Sequence, residues 1–207
     1  MIISCKSEDN TQVDEDGIIT GLQTKTLTHD NVNRNYLVYI PDSYDSEIDY
    51  PLMFVFHGFG GIATQFINSA DMRDLAESNN FIAVYPQGLD LGGTGSHWNC
   101  SNPSADNKSD VDDIGFIENL IDQLIVDYPV IDSKRIYAAG YSNGGFMSYY
   151  LACNSKKFAA IGSVAGTMLD DSYQSCNANF PTAMINIHGT NDFDVPPHLK
   201  NNSNSYV

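Results

Sequence analysis

Arg135-Ile136-Tyr137-Ala138-Ala139-Gly140-Tyr141-Ser142-Asn143-Gly144-Gly145 is the stretch whose reading decides the fold. Its first five residues have strand character, and Phe146-Met147-Ser148-Tyr149-Tyr150-Leu151 continues as a helix. Between them lies a Gly-x-Ser-x-Gly pentapeptide. A strand that bends straight into a helix tolerates only small neighbours around the bend, hence Gly140 and Gly144. The bend lifts the Ser142 hydroxyl above the C-terminal edge of a sheet, beside a helix N-terminus. The pentapeptide alone is common by chance. The strand-turn-helix frame around it is what makes Ser142 a candidate nucleophile.

Outward from this bend the chain alternates between strand and helix patterns. Pro51–Phe56, Phe81–Tyr85, Phe158–Val164 and Thr182–His188 are short apolar runs, the mark of strands buried on both faces. Residues 64–79 carry helical spacing through Phe66, Ala70, Leu75 and Ala76. A longer helix starts at Asp112 or Asp113 and places Ile114, Ile117, Leu120, Ile121, Leu124 and Ile125 on one face before Pro129. The aspartates supply its cap and complement its dipole. Lys25–Thr28 and Asn35–Ile40, flanking Asn31-Val32-Asn33, predict an antiparallel hairpin. Strands alternating with helices argue an α/β fold with a mostly parallel central sheet and helices on both faces. The catalytic domain is expected over residues 24–207, after a polar tether over residues 1–23. No internal repeat or second domain is evident.

Two further segments fit the chemistry of an acyl-transfer serine. Such a serine needs N–H donors aimed at the developing oxyanion. One is expected from the Asn143 backbone, the residue after the nucleophile. The other is assigned to Phe59, in His57-Gly58-Phe59-Gly60-Gly61, which follows the strongest strand. The acid of a triad belongs just past a later strand. Asp192, in His188-Gly189-Thr190-Asn191-Asp192-Phe193-Asp194, occupies that place, with Asp194 as rival. Gln87–Asp110 is a long Gly/Ser/Asn-rich loop over the expected site. It carries Trp98, the sole tryptophan, which could stack on substrate or simply pack.

Together these blocks resemble the secreted polyhydroxybutyrate depolymerase and feruloyl esterase family of α/β-hydrolase fold. Val111–Phe116, Arg135–Gly145, Tyr150–Cys153, Phe158–Ile161 with Val164–Gly166, and Ile187–Thr190 with Asp192 and Val195-Pro196 carry the likeness. It runs from about Thr24 to Pro197. The resemblance implies a serine esterase acting on feruloyl or acetyl esters of polysaccharide, or on polyhydroxyalkanoate-type esters. Ser142 and Asp192 fall on the family's nucleophile and acid, and Trp98-Asn99 on a tryptophan–asparagine pair. The family's histidine lies tens of residues beyond the acid, past a last strand. The chain ends at Val207, before that strand and its closing helix, so it is expected to be a C-terminally incomplete copy with negligible turnover. His198, in a proline turn, is not expected to replace the base, and His57 and His188 are expected to brace their loops. A serine peptidase of the same fold and an inactive surface-binding protein are the alternatives.

Composition sets the remaining bounds. A net charge of −16 and a pI near 4.3 exclude nucleic acid and anionic lipid surfaces as partners. The acidic residues, including Asp110–Asp113, are expected on the solvated surface. No stretch approaches a membrane span. The four cysteines show no zinc spacing, and neither metal nor organic cofactor is expected. Cys153 and Cys176 fall at the sheet end away from Ser142, which suits a disulfide; two free thiols are the other reading. Cys100 has no evident partner. Met1-Ile2-Ile3-Ser4-Cys5 resembles the end of a lipoprotein signal, with Cys5 as lipid anchor; a chance cysteine is the alternative. A monomer working outside the cytoplasm, secreted or at the cell surface, is the expectation.

Overall fold

A computed structural model describes residue 13 and residues 17–90, 92–93, 95–101, 109–176 and 181–196. Cys5, most of the expected tether and His198 lie outside the described residues. The described chain forms nine strands and five helices. In order they are β1 (Gly21–His29), β2 (Val32–Ile40), β3 (Tyr50–Phe56), α1 (Ala63–Phe66), α2 (Arg73–Asn79), β4 (Ile82–Pro86), β5 (Leu89–Asp90) and β6 (Ser96–His97). Then follow α3 (Asp113–Asp127), β7 (Ile131–Tyr141), α4 (Asn143–Asn154), β8 (Ala160–Val164), α5 (Asp170–Ser175) and β9 (Ala183–Ile187).

Seven strands make one sheet in the order β1-β2-β4-β3-β7-β8-β9. The β1–β2 and β2–β4 pairs are antiparallel, and every pair from β4 to β9 is parallel. The sheet has a core on each face because alternate side chains point to opposite sides. Tyr36, Val38 and Ile40 of β2 join Phe116, Ile117, Leu120, Ile121 and Leu124 of α3 and Met147 and Leu151 of α4. Leu37 and Tyr39, the residues between, join Ala63 and Ile67 near α1 and Ala76 of α2 on the other face. The expected α/β-hydrolase architecture is therefore present.

Local differences from the sequence reading have identifiable causes. The hairpin turn is Asp30-Asn31, one residue earlier than expected, because both residues take positive φ (50° and 62°). A two-residue turn of that kind matches strand twist and favours Asp and Asn. β1 begins at Gly21 rather than after residue 23. The helical run 64–79 is two short helices, since residues 67–72 leave the helix to let Tyr85 Oη bond Met72 N and Ala70 O. The loop after β4 is not structureless: β5 and β6 pair within it. Asp112 caps α3 as expected, accepting from Gly115 N at 2.8 Å. Asp113 does not lie on the surface. It is 3% exposed and pairs with buried Arg34 at 2.5 Å, because burial there is compensated by a charge partner. The Cys153–Cys176 disulfide is formed, and Cys100 is a buried free thiol.

Candidate active site

The strand order reverses direction at β3, whose sheet neighbours are β4 and β7. Ligands of open α/β sheets bind beyond the C-terminal strand ends at such a switch point. Two of the sequence-predicted segments emerge there on neighbouring strands, His57–Gly61 after β3 and Ser142 after β7.

Ser142 stands at φ 52°, ψ −119°, a conformation a non-glycine residue holds only when its surroundings enforce it. They do so through backbone. Ser142 N donates to Val164 O at 2.9 Å, and Phe146 N to Ser142 O at 3.0 Å. A Cβ on Gly140 would run into the Gly144 carbonyl, and one on Gly144 into the carbonyls of Phe56 and His57. Both glycines are therefore required by close backbone approach. Ser142 is partly exposed, as a nucleophile must be. Gly58 lies against it, with its Cβ direction ending 3.3 Å from Ser142 Cβ. Asn143 opens α4, so its N–H is one of those a helix leaves without an internal acceptor.

The loop carrying Phe59 is held from below by His57 and Gln87. The His57 ring is buried, and its Nε2 accepts from Gly88 N at 3.0 Å. The proton therefore sits on Nδ1, which donates to Gly58 O at 2.8 Å. Burial pushes the His57 pKa down from its usual value, and the bond to Gly58 O opposes this only in part. His57 is a neutral brace. Gln87 accepts from Ala63 N at 2.7 Å and donates to Gly61 O at 3.2 Å and Gly88 O at 2.9 Å. Gly60 N donates to Ser96 O at 2.7 Å, and the Ser96 hydroxyl donates to Gly61 O.

Trp98 takes the packing role rather than a substrate-facing one. It is 1% exposed, its Nε1 donates to His57 O at 3.0 Å, and its ring meets Phe56 edge-on at 5.1 Å. Its backbone is gripped by the Asn143 side chain, which accepts from Trp98 N at 2.7 Å and donates to Trp98 O at 3.0 Å. That grip was invisible in the sequence, where Asn143 was expected to act only through its backbone. The only sign of it was an amide side chain at a helix start.

Asp192 follows β9, two strands from β7 across β8, on the same edge of the sheet as Ser142. Ala165 N donates to Ile187 O at 2.9 Å, which continues the backbone chain from Ser142 to the end of β9. Asp192 Oδ1 accepts from Asp194 N at 3.1 Å and Val195 N at 2.9 Å, leaving Oδ2 at 3.4 Å from His188 Nε2. That His188 nitrogen donates to Val195 O at 2.6 Å, so His188 closes the loop that holds Asp192, as expected. Asp194 is exposed and contributes its N–H to Asp192. Among the described residues no histidine has a hydrogen bond to Ser142: His29 bonds Asn119, His57 the Gly58–Gly88 pair, His97 Asn99, and His188 Val195. A cleft of about 530 Å³ lies beside Gly60 and Ser96, walled by β1 and β2, and its lining does not include Ser142.

Comparison with known proteins agrees with this geometry. A family model described as "Putative esterase" matches residues 29–195. Feruloyl esterase D of Neurospora crassa is 29% identical over 182 residues, covering 82% of this chain and 57% of the relative. Probable feruloyl esterase C of Aspergillus terreus is 32% identical over 181 residues, with 83% and 60% covered. The chain thus spans little more than half the length of these relatives. Acetyl xylan esterase from Aspergillus awamori superposes with a TM-score of 0.70 at 18% identity, over 86% of this chain and 75% of that one, a likeness of fold. With its strained serine at the switch point and this match over most of its length, the chain belongs to the putative esterase family, built on the α/β-hydrolase fold.

Proposed function

We propose that the protein hydrolyses carboxylic esters through an acyl-Ser142 intermediate. The observation that carries this is Ser142 at φ 52° between β7 and α4, with the acid Asp192 on the same sheet edge. A general base from outside the described residues takes the hydroxyl proton as Oγ attacks the ester carbonyl. The N–H groups of Asn143 and Phe59 receive the oxyanion, each worth roughly 2.7–4 kcal/mol. Collapse expels the alcohol, which takes the proton from the base. Water then attacks the acyl-enzyme by the same route, releasing the acid and freeing Ser142. Asp192 orients the base and stabilises its protonated form.

The names of the relatives support feruloyl or acetyl groups on plant polysaccharide as the ester, ahead of polyhydroxyalkanoates. Tyr141 and Phe59, each about half exposed and adjacent in sequence to Ser142 and Gly58, offer rings against which an aromatic acyl group packs. Work outside the cytoplasm suits the disulfide. A lipid anchor on Cys5 and a monomeric state belong to the same reading. The test compares the complete gene product with its Ser142→Ala variant on methyl ferulate, an acetyl ester and an amide. A fall of about 10⁴-fold or more on esters is expected. Equal rates would end the proposal, and a preference for the amide would make the protein a peptidase.

A further inference from the structure

The turn between β1 and β2 meets the start of α3 far from Ser142 in sequence, and three potential ligand atoms converge there. His29 Nε2 lies 3.5 Å from Asp30 Oδ2 and 3.5 Å from Asp112 Oδ2, and all three atoms lie within 4.8 Å of one another. The His29 side chain is 8% exposed, and its Nε2 is buried without a hydrogen-bond partner. A buried imidazole nitrogen is ordinarily satisfied. Charge-assisted N–H···O bonds close to about 2.7–2.9 Å, so these contacts are too long to be such bonds. A tetrahedral ion with metal–ligand bonds of about 2.1 Å spaces its donors about 3.4 Å apart, close to what His29 makes with both carboxylates.

The surroundings are arranged for the same geometry. Asp112 spends Oδ1 on capping Gly115 N at 2.8 Å, which fixes the carboxylate and aims Oδ2 at His29. Gly115 forms the floor: a Cβ there would strike Asp112 Oδ2 and come within 3.0 Å of His29 Cε1. His29 Nδ1 lies 2.8 Å from the Asn119 amide. Turning that amide over lets Nδ1–H donate to its oxygen, leaving the Nε2 lone pair free, as a metal-bound histidine requires. Phe116 packs against the ring at 6.3 Å.

From this we infer a divalent-cation site formed by His29, Asp30 and Asp112, suited to a first-row transition ion such as zinc. One imidazole with two carboxylates matches that class and leaves a fourth position for water. The ligands come from distant stretches, so no motif spacing reveals them. The ion would clamp the β1–β2 turn to α3.

The test is calorimetric titration of the EDTA-stripped 207-residue chain with zinc chloride near neutral pH. One saturable site per chain is expected, weakened at least tenfold by His29→Gln and by Asp30→Asn. Asparagine accepts the positive φ of residue 30, so the second variant keeps the turn if the first disturbs packing. Zinc should also raise the Tm of the parent chain but not of His29→Gln. Absence of saturable binding, or unchanged affinity in both variants, overturns the site.

Discussion

His57 shows how one side chain ties site geometry to a solution property. Its position under the loop that carries Phe59 depends on an unprotonated Nε2 accepting from Gly88 N. Burial holds its pKa below the usual value. Below about pH 6.5 the unfolded chain takes up a proton that the folded protein refuses. Stability from this residue is therefore complete above that pH and lost progressively as pH falls below it toward the depressed value of the folded state. Urea midpoints measured between about pH 7 and 5 should decline, and His57→Gln should flatten that decline while lowering stability throughout. An unchanged slope would mean that His57 carries a proton in the fold. The sequence placed His57 correctly as a brace, since a histidine before a glycine at a strand end suits that role. It did not reveal the partners, because Gly88 and Gln87 come from a loop after a different strand.

At the scale of elements, the bend between β7 and α4 is held by β3 and β8, and α4 in turn is tied to α5. Cys153 ends the one helix and Cys176 follows the other, with Cα atoms 5.1 Å apart. Closing a loop of this size removes chain entropy from the unfolded state worth roughly 3 kcal/mol. The Cys153→Ala/Cys176→Ala double variant should lose about that much in denaturant unfolding, with a reduced parent chain behaving alike. Equal stability of oxidised and reduced chains would contradict the bond's role. Arg34 and Asp113 tie β2 to α3 in another way. The guanidinium lies 4.0 Å over the Phe116 ring and bonds the carboxylate, which also accepts from Asn99 N at 2.8 Å. Asp110–Asp113 looks like a solvated charge run in sequence. Only the fold brings a buried arginine to its last member.

For the whole molecule, the two ends of the sheet differ. β2 is buried along most of its length and β1 is half-buried on alternate residues, whereas every residue of β9 is exposed, with Met184, Ile185 and Ile187 at 56%, 62% and 59% and Phe193 at 91%. Among the described residues β9 is the last strand of the sheet, and exposed apolar side chains of this kind bind apolar molecules. The charge of −16 opposes self-association, so an uncharged polarity-sensitive dye reports the surface better than sedimentation does. The 207-residue chain should enhance Nile red fluorescence in its native state, and Ile185→Asn with Ile187→Asn should remove most of the enhancement. Enhancement unchanged in that variant would place the apolar surface elsewhere.

Sequence alone determined the parallel core and the bend at Ser142; it put Asp192 just past a strand end with Asp194 as rival, and left Cys153 and Cys176 either bonded or free until the structure paired them. The sequence readings rest on local rules: apolar runs, glycines flanking a serine, and the positions of strand ends. Tertiary structure alone decided that Trp98 packs beneath the site, that Asn143 grips its backbone, that Asp113 is buried, and that His29, Asp30 and Asp112 converge. Those outcomes depend on which loops meet after the sheet has assembled. Contacts between residues tens of positions apart leave no periodicity for a one-dimensional reading to detect.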